Sequence, residues 1–192
     1  MADSDISGLG AASAIAASNV FPVQQGGASV LKATAEQLRA FINGGAIFKA
    51  CNSLNTVQSI SPNSWTKITA INTSLVDTAG WFSVTNQKYT PAIAGWYEFG
   101  GSLIIVGADD QTKFALIVSK NSVSLGNGDT ILLGRSTGSG TNNLGEAGVG
   151  FLYMNGSTDY VELQAYHTSS AAKNTDSPAL SITFFGRLLF AA

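Results

Sequence analysis

The last strand-like run of the chain, residues 182–190, is apolar on both of its faces. Side chains alternate across a strand, so successive residues point to opposite faces. One face carries Ile182, Phe184, Leu188 and Phe190, and the other carries Phe185 and Leu189 together with Thr183 and Arg187. A single sandwich core covers only one face of a strand. The second face therefore predicts a cover from a neighbouring sheet, a helix or another subunit.

The composition favours an all-β chain that hides surface in an oligomer. The 192 residues include 21 Gly and only 4 Pro, and the Asn, Ser and Thr between the apolar runs are turn formers. Charged residues make up 11% of the chain, against about 25% in an average soluble domain. Solubility then depends on neutral polar groups or on burial in an oligomer, and the two-sided last strand favours the oligomer.

Charge and cysteine content exclude several classes of protein. The net charge is −2 and the ten basic residues form no run, so we expect no nucleic-acid binding. The acidic N-terminus lacks the Lys or Arg of a secretory signal. We therefore expect synthesis in a host cytoplasm without a signal peptide, and no membrane insertion. The single cysteine, Cys51, cannot form an internal disulfide and is predicted to be a small buried side chain.

Residues 1–44 differ from the rest of the chain and predict a separate N-terminal module. Strand-like runs at 19–24 and 28–33 flank a Gly-Gly pair, which is typical of a hairpin. Residues 34–37 then match a capping box that opens a short helix. The module has too few apolar residues to fold alone, so we expect it to pack on copies of itself or on a particle.

From residue 45 onward, turn signals recur every eight to fifteen residues, which is typical of a β-sandwich or jelly roll. Strands are predicted near 46–52, 65–71, 81–89, 95–106, 112–119, 123–133, 147–154, 158–167 and 180–190. In the fourth of these, Tyr97 and Phe99 point inward and Trp96 and Glu98 point outward. The stretch 135–145 is predicted to be a mobile loop because it is rich in Gly, Ser, Thr and Asn.

Two motifs within residues 46–192 resemble one family. Gly80-Trp81-Phe82, followed by the run Tyr89-Thr90-Pro91-Ala92-Ile93-Ala94-Gly95-Trp96-Tyr97-Glu98-Phe99, is similar to the signature of the globular heads of complement's first component and the tumour necrosis factor superfamily. The run 183–190 resembles that family's closing strand. The resemblance implies a mainly β, ten-strand jelly-roll sandwich that assembles as a homotrimer.

In that trimer the second face of the closing strand would line the three-fold axis. The resemblance thus implies a trimer interface that contains Phe185, Arg187 and Leu189. Arg187 departs from the family, which usually has an apolar residue there. The sequence leaves open whether this arginine reaches solvent, a carboxylate such as Glu98 or Glu162, or an ion on the axis.

The N-terminal module resembles a different group of proteins. Ile6-Ser7-Gly8-Leu9, an Ala-rich stretch, the run 20–27 and Lys32-Ala33-Thr34 before a short helix are together similar to the virion-anchoring leader of many tailed-bacteriophage fibre and appendage proteins. This resemblance implies docking on other virion proteins through residues 1–44. The implied anchor residues are Ile6, Leu9, Phe21, Leu38 and Phe41.

No pattern in the chain indicates an enzyme, a metal site or a cofactor. The one histidine, His167, ends a predicted strand without a nucleophile elbow, so it is interpreted as a surface or interface residue. Glu98 and Glu162 are interpreted as solvated strand residues rather than paired catalytic acids. The three tryptophans are interpreted as core or interface residues, with sugar stacking as the alternative. They are Trp65, Trp81 and Trp96.

The function predicted from these features is that of a homotrimeric phage appendage on the virion surface. Residues 1–44 would dock on the particle, and a knob of residues 45–192 would bind a host-surface glycan or protein through avidity. The candidate contact residues at loop tips are Asp109, Asp110, Arg135, Asn142 and Asn143. The alternatives are a head decoration or cement trimer without a receptor role, and a bacterial glycan-binding adhesion module.

Overall fold

The computed structural model of the protein describes residues 20–24, 30–34, 45–122 and 129–192. The chain divides into two compact units, Met1–Gly44 and Gly45–Ala192. In the first unit, β1 (Val20–Gln24) pairs antiparallel with β2 (Val30–Thr34), and these two strands correspond to the runs predicted at 19–24 and 28–33.

The other N-terminal predictions fall mostly outside the described residues. These include the helix after Thr34, itself the last residue of β2, and the anchor positions Ile6, Leu9, Leu38 and Phe41. Phe21 lies in β1, opposite Ala33.

The second unit, called the knob below, is built from thirteen strands among its described residues. Their bounds are β3 Ile47–Cys51, β4 Ser59–Ile60, β5 Thr66–Lys67, β6 Thr73–Asp77, β7 Phe82–Ser83, β8 Lys88–Tyr89, β9 Ala94–Ala108, β10 Lys113–Lys120, β11 Thr130–Thr137, β12 Asn142–Asn155, β13 Val161–His167, β14 Lys173–Asn174 and β15 Thr183–Ala191. The prediction of a mainly β chain is confirmed. Among the described residues there is no helix long and apolar enough to cross a membrane.

Two antiparallel sheets form the sandwich. The five-stranded sheet has the order β12-β9-β15-β3-β6, and the six-stranded sheet has the order β11-β10-β13-β8-β7 with β5 paired to β13. A small ladder joins β14 to β4. The last strand of the chain, β15, thus lies in the middle of the five-stranded sheet and pairs with β9 on one side and β3 on the other.

The core between the sheets is aromatic. Phe48 stacks on Tyr89 with ring centroids 4.1 Å apart, and the ring of Phe184 meets Phe48 edge-on at 5.0 Å. Tyr97 stacks on Phe99 at 5.7 Å. All five side chains are buried, and burying a side chain of this size stabilises the fold by roughly 1.5–3 kcal/mol. These inward positions on β9 and β15 agree with the sequence prediction.

The predicted mobile loop at 135–145 is wrong. β11 runs to Thr137 and β12 begins at Asn142, which leaves a connection of only residues 138–141. Of its glycines, Gly145 lies in β12, whereas Gly138 and Gly140 lie in this connection. Farther along β12, glycine allows a close approach between strands. A Cβ on Gly148 would overlap the carbonyl of Leu133 in β11.

The predicted strand 65–71 shortens to β5, and the predicted strand 81–89 divides into β7 and β8.

The predicted inward orientation of Phe190 is also wrong. Against β9, Leu188 pairs with Tyr97 and Phe190 with Trp96, so one extra residue interrupts the register between them. Such a bulge moves every later side chain to the opposite face. Leu188 is buried as predicted, whereas Phe190 shares the outward face of Trp96.

Candidate functional site

The outer face of the five-stranded sheet is covered with exposed apolar side chains, and we call this surface the apolar face. Its members come from four strands and are between 37% and 59% exposed. They are Ile47, Trp96, Val149, Phe151, Tyr153, Leu189 and Phe190. Scattered exposed apolar residues are ordinary, but a contiguous patch on one sheet marks an interaction surface.

The alternation of β12 explains how the sequence builds this face. Val149, Phe151 and Tyr153 point outward, while Gly148 and Gly150 point inward toward β11. Because the inward positions lack a Cβ, β11 packs directly against the backbone of β12. β12 therefore contributes its large side chains only to the outer surface at these positions.

Aromatic side chains on and beside the apolar face contact other residues of the same chain. The ring of Trp96 meets that of Tyr153 in a T-shaped arrangement with centroids 6.0 Å apart. The ring of Phe185 lies over Gly100, where an added Cβ would be 2.5 Å from Phe185 Cζ. Phe185 is therefore half-buried on its own chain, and Leu189 is more exposed.

Arg187 sits on the outer side of β15 and pairs with Glu98. The register places the two residues opposite each other on β15 and β9. The Nε of Arg187 lies 3.0 Å from Oε1 of Glu98, and its Nη2 lies 3.3 Å from Oε2. This two-point contact is the strong geometry for a guanidinium and a carboxylate. The sequence left open solvent, a carboxylate or an axial ion for Arg187; in the structure its side chain pairs with the carboxylate of Glu98 and stays more than half exposed.

Glu162 is not the solvated strand residue that the sequence predicted. It is only 2% exposed and lies in β13 of the other sheet, with Lys67 Nζ 3.3 Å and Lys88 Nζ 3.9 Å from its Oε2. Ser122 Oγ and Gln164 Nε2 donate to its Oε1 at 2.9 and 2.8 Å. Two cations and two donors compensate for removing this carboxylate from water.

His167 is fully buried, so its interpretation as a surface or interface residue is wrong. Its Nδ1 accepts a hydrogen bond from the backbone N–H of Ser169 at 3.2 Å. Its Nε2 therefore carries the proton and donates to the carbonyl of Ile60 at 2.9 Å. Both ring nitrogens are used to hold the loops around β13, a structural role.

Four of the five predicted contact residues gather at one end of the sandwich, where the β9–β10 connection meets the β11–β12 connection. Asp110 Oδ1 accepts from the N–H of Gly140 at 2.6 Å. Asn143 Oδ1 accepts from the N–H of Gly107 at 3.1 Å, and Asn142 Nδ2 donates to the carbonyl of Ser139 in the β11–β12 connection. These side chains fasten the two loops to each other.

Asp109 is the fourth residue of this group. Its Oδ1 lies 2.6 Å from Lys173 Nζ, and its Oδ2 accepts from both the N–H and the hydroxyl of Ser170 at 2.6 Å. The hydrogen bonds from Lys173 and Ser170 hold the pKa of Asp109 well below its usual range. Its carboxylate is thus already occupied within the chain.

Arg135, the fifth predicted contact residue, lies apart from the others in a cleft on the outer side of the six-stranded sheet. The cleft has a volume of about 350 Å³. Its walls and floor are formed mainly by Trp65, Lys113, Ala115, Leu132, Arg135 and Tyr166. Because it belongs to the other sheet, the cleft does not overlap the apolar face.

Strand register explains the shape of the cleft. Ala115 in β10 pairs with Arg135 in β11 on one side and with Tyr166 in β13 on the other. Directly paired residues point to the same face, so a small side chain lies between two large ones and forms a floor. β5 pairs with β13 next to Tyr166, and this places Trp65 against it with ring centroids 5.4 Å apart.

The cleft also concentrates unpaired positive charge. Within residues 45–122 and 129–192, five cations form ion pairs with carboxylates: Lys67, Lys88, Lys120, Lys173 and Arg187. The three cations of these ranges without such a pair are Lys49, Lys113 and Arg135, and two of them line the cleft. Alternation along β10 predicts that Lys113 shares the face of Ala115, but only the strand order brings both to Tyr166 and Arg135.

Comparison with known proteins identifies the fold of the knob. No family model and no curated protein matches the chain. The globular domain of zebrafish complement 1qA is 15% identical and aligns over 77% of this chain and 99% of its own, with a TM-score of 0.54. Murine APRIL is 10% identical and aligns over 75% of this chain and 98% of its own, with a TM-score of 0.51. At such identities the likeness concerns the fold alone, and it confirms the predicted jelly roll of the complement-head and tumour necrosis factor type.

Proposed function

We propose that the protein is a non-enzymatic, homotrimeric surface protein of a tailed-phage virion that attaches the particle to its host. The observation that carries this proposal is the apolar face. Seven large apolar side chains lie exposed on one sheet of a chain with few charges. A protein that stays in solution covers a surface of this kind.

Copies of the same chain are the cover that fits best. The apolar face includes the outer side of β15, the strand that the family resemblance places on a three-fold axis. Arg187 and Glu98 neutralise each other there, so burial of the face leaves neither charge without a partner. Each large side chain that a neighbour covers completely contributes roughly 1.5–3 kcal/mol.

The arrangement of the rest of the knob supports a role in attachment. When the apolar face is buried, the outer side of the six-stranded sheet still faces solvent and presents three copies of the cleft. Three weak contacts presented together raise the apparent affinity by avidity. The resemblance of residues 1–44 to virion-anchoring leaders supports docking of that segment on the particle.

A head decoration or cement trimer is the second candidate. One observation favours it: Asp109, Asp110, Asn142 and Asn143 are committed to bonds within the chain rather than free for a receptor. In this role the knobs would contact neighbouring capsid proteins, and the apolar face would still form the trimer.

Adsorption of virions that lack the protein separates the two candidates. If the protein attaches the particle, such virions bind host cells poorly, and full-length protein supplied during assembly restores binding. Normal adsorption together with a loss of particle stability would contradict the attachment role and support decoration. Protein without residues 1–44 provides a control, because it is expected not to join the particle.

A further inference from the structure

We infer that the cleft on the six-stranded sheet binds an anionic saccharide, with the sugar ring against Trp65 and Tyr166 and its carboxylate or phosphate on Arg135 and Lys113. This inference rests on the proposed attachment function, because it names the class of host ligand. It concerns a site within one chain, so three such sites would lie on the outside of a trimer.

The aromatic wall fits the ring of a sugar. Trp65 and Tyr166 are partly exposed, and their ring planes are tilted by 40°. A pair of tilted, partly exposed rings offers an apolar surface bordered by polar groups, which suits the mixed faces of a saccharide. Trp81 packs against the core and Trp96 lies on the apolar face, so Trp65 is the tryptophan placed for this role.

The opposite wall supplies the charge. Arg135 and Lys113 form no ion pair with another described residue, whereas every other cation of the knob except Lys49 is neutralised by a carboxylate of the chain. A guanidinium carries a planar fork of donors that matches a carboxylate or a phosphate at two points. An anion in the cleft would meet two cations that have no competing partner in the described chain.

The size of the cleft limits the ligand to a short segment. Its volume of about 350 Å³ lies at the lower end of ligand pockets, which run from roughly 300 to 1,000 Å³. Ala115 provides the space, since a larger residue between Arg135 and Tyr166 would fill the floor. We therefore expect one or two sugar rings to occupy the cleft.

Titration of the full-length protein with three probes tests the inference. The probes are a uronic-acid oligosaccharide, a phosphorylated oligosaccharide and the neutral parent sugar, and binding is followed by ligand-observed NMR. We expect at least one anionic probe to bind, the neutral parent to bind at least about tenfold more weakly, and added salt to weaken binding. Equal binding of the neutral parent, or no binding of either anionic probe, overturns the inference.

Three variants locate the site. Arg135→Gln removes the guanidinium and Ala115→Leu fills the floor without removing a polar group, and each is expected to weaken binding about tenfold or more. Lys49→Gln removes the unpaired cation that lies outside the cleft, and it is expected to bind like the unaltered protein. Unchanged binding in both cleft variants, with their folds intact by circular dichroism, would also overturn the inference.

The saccharide titration needs no virion, so its failure is distinct from failure of the attachment function. If virions need the protein for adsorption but the purified protein binds no anionic sugar, attachment stands and the cleft is the wrong site. If the protein binds the sugar through Arg135 but virions that lack the protein adsorb normally, the cleft assignment stands and the attachment role fails.

Discussion

At the scale of single residues, two buried tyrosines differ in one hydrogen bond. Tyr97 Oη donates to the carbonyl of Ile93 at 2.8 Å. Tyr89 Oη, equally buried, has no hydrogen-bond partner among the described residues. Burial raises the pKa of both hydroxyls, so both stay neutral at ordinary pH.

Removal of each hydroxyl should therefore have opposite consequences. Tyr97→Phe loses a hydrogen bond and is expected to lower the free energy of unfolding by about 0.5–1.5 kcal/mol. Tyr89→Phe removes a buried hydroxyl that forms no hydrogen bond in the described chain, so this variant is expected to leave the free energy of unfolding unchanged or to raise it. Urea unfolding measures both variants. A larger loss for Tyr89→Phe than for Tyr97→Phe would contradict the hydrogen-bond pattern.

Asp159 makes the stability of the knob depend on pH in the acidic range. Burial alone would raise the pKa of this carboxyl, but hydrogen bonds from Asn121 and the N–H of Asn155, and the ammonium of Lys120 at 3.2 Å, together lower it. A carboxyl whose folded pKa is depressed stabilises the fold fully above its unfolded pKa of about 3.9. That stability is lost as the pH falls through the folded pKa.

We expect the melting temperature to fall below about pH 4 and Asp159→Asn to make the fall shallower. The same variant should lower the melting temperature at pH 7, where Asp159 is ionised. Asp176→Asn is the control, since that side chain accepts only from the adjacent N–H of Ser177 within the described chain. An unchanged acid profile in Asp159→Asn would show that Asp159 does not contribute to the pH dependence.

At the scale of the strand, β15 depends on a glycine in its centre. A Cβ added to Gly186 would overlap the ring of Phe99 and lie 2.8 Å from Cε1 of Phe48. Both rings are fixed in the core, so they cannot move away cheaply. Gly186→Ala is expected to destabilise the knob by about 1–3 kcal/mol.

Gly145→Ala is the matched control for this prediction. Gly145 is an exposed strand glycine of β12, and an added Cβ would be 3.0 Å from Cγ1 of Ile104, a side chain that can shift. Its cost in denaturant unfolding should be smaller than that of Gly186→Ala. Equal costs would show that the core rings do not set the requirement at Gly186.

Strand periodicity predicted the elements whose alternation is undisturbed. β9, β10 and β13 lie close to their predicted positions, and the inward residues of β9 form the aromatic core. The alternation of side chains between the two faces gave the wrong orientation for Phe190. An extra residue before it shifts the pairing with β9 and reverses the faces, and nothing in the composition of β15 indicates this bulge. The composition rule for loops failed at 135–145, because small polar residues also occupy the exposed positions of strands, as Thr137 does in β11 and Asn142 in β12.

The candidate sites were predictable only where one strand builds them. The two-faced β15 indicated an interface at Phe185, Arg187 and Leu189, yet most of the exposed apolar side chains come from β12 and β9, which only the strand order brings beside it. The cleft joins the consecutive strands β10 and β11 to β13 and to Trp65 beside β5, which lie far from them in sequence. No local pattern could have gathered its residues.

At the scale of the whole molecule, the account depends on the apolar face being an interface between copies. Phe151→Asp places a charge on this face, and burying an unpaired charge is costly. We expect this variant to yield monomers or aggregates while the strand content stays unchanged. Leu54→Asp is the control, because Leu54 is also a large exposed apolar residue, at 72%, but lies outside the sheets. A Phe151→Asp protein that assembles like the control would contradict the proposed interface.

The most direct test is the mass of the full-length protein in solution. Multi-angle light scattering across a range of concentrations measures it without a label or a partner. The account predicts three times the chain mass of 19.8 kDa, stable on dilution because the interface is apolar. A mass of 19.8 kDa at every concentration would contradict the central claim.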